Sequence, residues 1–140
     1  MALITWSTDG VAQWAERSGR DAVLVQSMRG FIDAGKVGRL VCEHLLSLSD
    51  PVRLVTFDVY ELLDYRSRRP EMTFSINEWT SYDEPYLAID MVADAEGTPY
   101  LLLHGLEPDI RWEKFISAVT DVVKRLGIGL TVAAHGIPMA

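Results

Sequence analysis

The sequence predicts a single α/β domain over residues 1–140, with a mixed, mostly parallel sheet flanked by helices in three layers. Three observations carry that expectation. The run Asp21 to Met28 is short, apolar and rich in valine, and it ends at Gly30, as a buried strand does. Asp33 to Leu48 then changes period: Val37, Leu40, Val41, Leu45 and Leu48 recur at three- and four-residue spacing, the mark of an amphipathic helix. Val52 to Asp58 returns to a strand pattern. Strand, helix and strand at these lengths suit a parallel right-handed crossover.

The boundaries have physical causes. The Asp33 carboxylate can accept the first orphan amides of the helix, and Asp50-Pro51 stops it. Beyond Asp58, Val59 to Leu63 suits one helical turn, and Asp64-Tyr65-Arg66-Ser67-Arg68-Arg69-Pro70 is too charged to be buried unpaired, so it is a loop. Met72 to Ile76, Tyr86 to Val92 and Thr98 to His104 read as three strands that add an antiparallel part to the sheet. Glu96-Gly97 turns the last pair. Pro108-Asp109 opens a second helix with a stripe of Phe115, Ile116, Val119, Val122, Val123 and Leu126, and Gly127 closes it. Ile128 to Ala134 is a further buried strand. A buried strand that stops at His135-Gly136-Ile137-Pro138 leaves a sheet face uncovered, so the chain is expected to be the first part of a longer protein.

Composition excludes several classes. Hydrophobic residues at 49% and charged residues at 24% are globular values, so disordered and collagenous classes are set aside. The net charge of −7 repels phosphate backbones and anionic lipid, so no nucleic-acid or membrane partner is expected. Met1 to Thr8 has no basic, apolar leader pattern, and the apolar runs fall short of the ~20 residues of a spanning helix. A cytoplasmic location follows as the expectation. Cys42 is the single cysteine and the three histidines lack ligand spacing, so neither a metal site nor a cofactor is expected.

Gly30-Phe31-Ile32-Asp33-Ala34-Gly35-Lys36 matches G-x-x-x-x-G-K between a strand and a helix. Val37 stands where a magnesium-binding hydroxyl should be, and Asp33 puts a negative charge inside the anion cradle. A tight turn whose glycines allow close packing is therefore preferred to a nucleotide loop. Arg66, Arg68 and Arg69, with Asp58, Glu61 and Asp64, form the densest charged cluster, beyond a strand end where α/β sheets bind ligands. Mutual pairing is preferred to a pure anion site. Around His104 to Asp109, two carboxylates, Glu107 and Asp109, and the His104 imidazole could perform acid/base work, although Asp109 also reads as the helix cap. His135 is a better catalytic candidate than His44. The four tryptophans are irregularly spaced and read as core or interface anchors.

Taken together, Gly30 to Gly35, Phe57-Asp58, Leu63 to Pro70, Gly105-Leu106-Glu107-Pro108-Asp109 and Trp112 resemble the PAC2 family, especially its actinobacterial branch. The family is named after proteasome assembly chaperone 2. The resemblance implies a phosphorylase/hydrolase-like three-layer architecture, and a branch whose members are roughly twice this length. It also implies proteasome-related assembly work for eukaryotic and archaeal relatives, while bacterial members are mostly uncharacterised.

Two functions are carried forward. The first is a non-enzymatic, self-associating protein-binding or assembly protein, proteasome-related by resemblance. Its contact residues would be drawn from Gly30, Asp33, Gly35, Asp58, Asp64, Arg66, Arg68, Arg69, Glu107 and Asp109. The second is a small-molecule ligand binder or enzyme, with one of Arg66, Arg68 or Arg69 on an anion and Asp33, Glu107 or His135 as acid/base candidates.

Overall fold

The computed structural model describes residues 2–30 and 32–139. Met1, Phe31 and Ala140 lie outside the described residues, including the Phe31 position of the glycine-rich turn. In chain order the elements are β1 (Ile4–Trp6), α1 (Thr8–Arg17), β2 (Ala22–Arg29), α2 (Val37–Ser47), β3 (Val52–Phe57), β4 (Met72–Ser75), β5 (Glu78–Tyr82), β6 (Leu87–Ala93), β7 (Pro99–Leu106), α3 (Trp112–Arg125) and β8 (Ile128–Ala133). Short 3-10 turns occupy Ala34–Lys36 and Val59–Glu61.

Six strands form one sheet in the order β1-β3-β6-β7-β2-β8. The α/β class and the mixed sheet are as expected, but the mostly parallel balance is corrected. Three pairings are antiparallel (β1–β3, β3–β6, β6–β7) and two are parallel (β2–β7, β2–β8). The cause is local. β6 and β7 form a hairpin closed by Asp94 to Gly97, with Gly97 at φ 82°, and β1, which periodicity did not reveal, adds an antiparallel edge. β2 and β3 do run in the same direction, but β6 and β7 stand between them. The ends of β2, β3, β7 and β8 therefore share one rim with the start of β6.

Helices cover both faces. Trp14 of α1 is buried and its Nε1–H donates to the Leu126 carbonyl at the end of α3, 3.0 Å away, which puts these two helices on one face. There Trp14, Leu24, Ile89, Leu101, Phe115 and Val122 join the core. Replacing the buried Phe115 by alanine would cost about 3–5 kcal/mol, the range for emptying a large core site. The Ser7 hydroxyl caps α1 by accepting the Gly10 N–H at 3.1 Å.

On the other face, α2 approaches through Gly38 rather than through its apolar stripe. The Ser27 hydroxyl donates to the Gly38 carbonyl at 2.6 Å, and Val37, Leu40 and Leu48 are exposed. Three further expectations are corrected. Met72 to Ile76 is not in the main sheet: β4 pairs only with β5 around an Ile76-Asn77 turn, and every residue of both strands is exposed. Helix α3 begins at Trp112 rather than at Asp109, because the Asp109 and Ile110 N–H groups donate to the Leu62 carbonyl instead of starting a helix. β8 is not buried: it pairs only with β2 and, from Gly129 onward, is exposed at the sheet's edge. Among the described residues, no helix is long and apolar enough to cross a membrane.

Candidate functional site

The segments beyond β2, β3 and β7 meet at the rim. The Glu107 N–H donates to the Arg29 carbonyl at 2.9 Å, and the Arg68 guanidinium reaches the carbonyls of both Arg29 and Glu107. A Cβ at Gly30 would fall on the Glu107 carboxyl group, so glycine permits this approach. At Gly105, φ is 117° and a Cβ would overlap the Tyr86 carbonyl oxygen. The glycine of the G-L-E-P-D string is thus required by the close passage of β7 and the start of β6.

Asp33 explains why the glycine-rich turn is no anion cradle. Its carboxylate accepts the N–H groups of Gly38 at 2.8 Å, Arg39 at 3.1 Å and Gly136 at 2.9 Å, so a carboxylate of the chain itself sits at the start of α2. The Gly136 and Gly38 amides hold its carboxyl below the usual range. Gly35 takes φ 67° in the 3-10 turn.

The charged loop pairs, in one case with a sequence neighbour and otherwise with the segment after β7. Asp58 caps the 59–61 turn by accepting the Tyr60 N–H. Asp64 receives the Arg66 N–H at 2.9 Å, and the Arg66 guanidinium is 3.5 Å away in solvent. Arg68 crosses to Asp109 at 2.7 Å, with both side chains largely buried, and Asp109 also accepts the Asp64 N–H. Asp109 is therefore a tether, which corrects its reading as the helix cap. Glu61 pairs with Arg111 at 3.4 Å. Arg69 is exposed.

Glu107 and His135 line one hollow of about 700 Å³ beside α3, walled by Leu24, Met28, Phe115 and Val119. Asp33 lies next to this region through its bond to Gly136. The structure thus brings the three acid/base candidates to one end of the sheet, with the Asp33 oxygens already taken by backbone amides.

Of a partly buried chain of polar groups on the α2 face, sequence reasoning singled out only His104, and as a partner of Glu107 and Asp109. The Tyr86 hydroxyl lies 3.1 Å from His104 Nδ1, His104 Nε2 lies 2.8 Å from Asp90, and Asp90 meets Arg53 at 2.5 Å. Burial pushes the Asp90 carboxyl upward, but the hydrogen bonds from His104 and Arg53 outweigh it and hold the group below the usual range. An ionised Asp90 only accepts, so Nε2 carries its proton toward it, and in the neutral ring Nδ1 accepts from Tyr86. Burial raises the Tyr86 phenol above its ordinary value, so the hydroxyl keeps its proton. The available signal was an aspartate and a histidine inside two otherwise apolar strands.

A three-layer α/β domain whose rim holds arginine–carboxylate tethers defines the class. The chain belongs to the PAC2 family, whose model matches residues 27–140. It is similar to a Mycobacterium tuberculosis protein of unknown function, at 41% identity and TM-score 0.86, covering 94% of this chain and 45% of that one. A Corynebacterium glutamicum protein of unknown function is 34% identical at TM-score 0.88, covering 98% of this chain and 51% of the other. A proteasome-assembly chaperone homologue from Mycobacterium tuberculosis shares the fold, with 23% identity, TM-score 0.69, and coverage of 79% and 48%. This chain thus spans about half the length of these solved relatives. No curated protein matches it.

Proposed function

We propose that this chain is a non-enzymatic protein-binding domain of the assembly-factor type, acting in the cytoplasm. The observation that carries the reading is the β4–β5 hairpin. Met72, Phe74, Ile76, Trp79 and Tyr82 are between 48% and 90% exposed there. The Tyr82 phenol lies close to that of Tyr65, which stacks on Tyr60, so the aromatic surface continues onto the charged loop. Exposed apolar patches of this kind mark contact surfaces. A two-stranded hairpin is marginal alone in water, and a partner would cover it. The similarity to a proteasome-assembly chaperone homologue supports proteasome subunits as the partner class. Self-association through the same surface is part of the reading. So is a family-length chain in which further polypeptide covers the exposed β8 edge, where Leu130 and Val132 are open.

The test is interferometry with purified proteasome subunits of the source organism, alongside sedimentation velocity for self-association. A Phe74→Ser, Trp79→Ser double variant should keep its circular dichroism and lose the association. Absence of both kinds of binding in the unaltered protein would remove the proposal.

A further inference from the structure

Two adjoining hollows of about 320 and 200 Å³ open on the α2 side of the rim and share Arg29, Arg39 and Asp83. Arg68 and Arg69 line the larger; Cys42 and Tyr86 line the smaller. Four arginines against Glu71 and Asp83 make the larger hollow locally positive on a chain of net charge −7. Two of the four are spoken for: Arg39 pairs with Glu43 at 3.1 Å and Arg68 with Asp109.

Arg29 differs from both. It is half-buried at the end of β2, common to both hollows, and makes no ion pair with a carboxylate among the described residues. Its guanidinium lies over the Tyr86 ring, 5.6 Å from the centroid. That ring is fastened beneath by the Tyr86–His104–Asp90–Arg53 chain. On the main-chain side, its carbonyl is held by the Glu107 N–H and by Arg68. Asp83 and Glu43 line the same hollows but neither is in ion-pair contact with Arg29; a partly desolvated cation with no such contact is costly, and an oxyanion that bonds to its fork relieves that cost. The aromatic platform keeps the fork in place, so little side-chain freedom remains to be lost on binding.

We propose that this cleft binds a small phosphate monoester, with the phosphoryl group on Arg29, Arg69 at the rim, and the organic part against Leu63, Pro70 and Pro85. Phosphate suits it better than a nucleic acid, because the site is a small open hollow on an acidic chain rather than a basic stripe. The glycine-rich turn is not involved, since Asp33 fills it. The inference stands apart from the docking hairpin and does not depend on it.

The experiment is calorimetric titration with inorganic phosphate and with phenyl phosphate at constant ionic strength, with sodium chloride as the ionic control and citrate as a separate arm. Saturable binding of both phosphates is expected, with phenyl phosphate tighter. Arg29→Gln should weaken it about tenfold or more, the loss of a charge-assisted fork, while Arg29→Lys recovers part of it. Arg66→Gln, at a site that is 94% exposed and outside both hollows, should bind as the unaltered protein does. If Arg29→Gln does not fold by circular dichroism, Arg69→Gln takes its place and should weaken binding about threefold. No saturable phosphate binding, equal binding by the arginine variants, or binding of citrate alone would overturn the proposal.

Discussion

The Arg68 guanidinium lies 2.7 Å from the Asp109 carboxylate, and this contact fastens the loop after β3 to the segment after β7. Only 18% of the Arg68 side chain and 9% of the Asp109 side chain are exposed, so neither charge is well hydrated. Removing one leaves the other buried, and that penalty exceeds the worth of the pair itself. Arg68→Ala or Asp109→Ala should each lower stability by about 3 kcal/mol. Arg66→Ala, whose side chain is 94% exposed, should change it by less than about 0.5 kcal/mol. Urea unfolding of the three variants checks the ranking, and equal effects would contradict it.

Asp33 makes a different prediction, because its partners are amides. Hydrogen bonds from Gly136 and Gly38 hold its carboxyl below the usual value of 3.8. A folded-state value below the unfolded one stabilises the fold above the ordinary carboxylate range, and that contribution is lost as pH falls through the folded value. Asp33→Ala should melt below the unaltered protein at pH 7, and the gap should close in acid. A gap independent of pH would show that the carboxylate charge is not what the amides recognise.

The Asp90 carboxylate is almost fully buried between His104 and Arg53. Asp90→Ala should cost about 3 kcal/mol, toward the low end for breaking a buried pair, because Arg53 is half exposed and can rehydrate. The sign with pH is that of Asp33: the carboxyl is lowered, so its contribution is complete above the carboxylate range and fades below it. Urea midpoints at several pH values for the variant and the parent measure both effects. A double variant with His104→Phe should cost less than the sum of the two, because the groups act as one network.

The legible part of this fold was what periodicity encodes. Helices α2 and α3, the Gly127 stop, and β2, β3, β6 and β7 follow from spacing and turn residues within a few positions. The rim was legible too, since strand ends in an α/β sheet collect the loops. What failed was long-range. Whether β2 meets β3 or β7 depends on which strands insert between them, and no local pattern records that. Asp109 looks like a cap beside Pro108, yet its partner Arg68 lies 41 positions away. The hairpin strands look like any amphiphilic strand, and only the assembled molecule shows that no core remains for them to cover. His104 and Asp90 were visible as polar residues in apolar strands, but their pairing required the β6–β7 register, in which Ala88 meets His104 and Asp90 meets Leu102.

Gly38 sets two opposing effects against each other. Alanine in a helix interior is worth about 1 kcal/mol over glycine, and in the first turn of α2, where Gly38 sits, this preference favours the substitution by at most that amount. A Cβ there, however, would meet the Ala134 carbonyl oxygen at 2.7 Å, with the Asp33 carboxylate and the Ser27 hydroxyl each at 3.2 Å. The nearest neighbour is main chain and cannot swing aside, so α2 must move off the end of β8. That movement also stretches the bond from Ser27 to the Gly38 carbonyl and the cap from Asp33. Overpacking of this kind costs about 1–3 kcal/mol, so the steric effect wins and Gly38→Ala should be net destabilising by about 1–2 kcal/mol. Thermal and urea unfolding measure the sign. A stabilised variant would mean that α2 does not approach the sheet as closely as these contacts require.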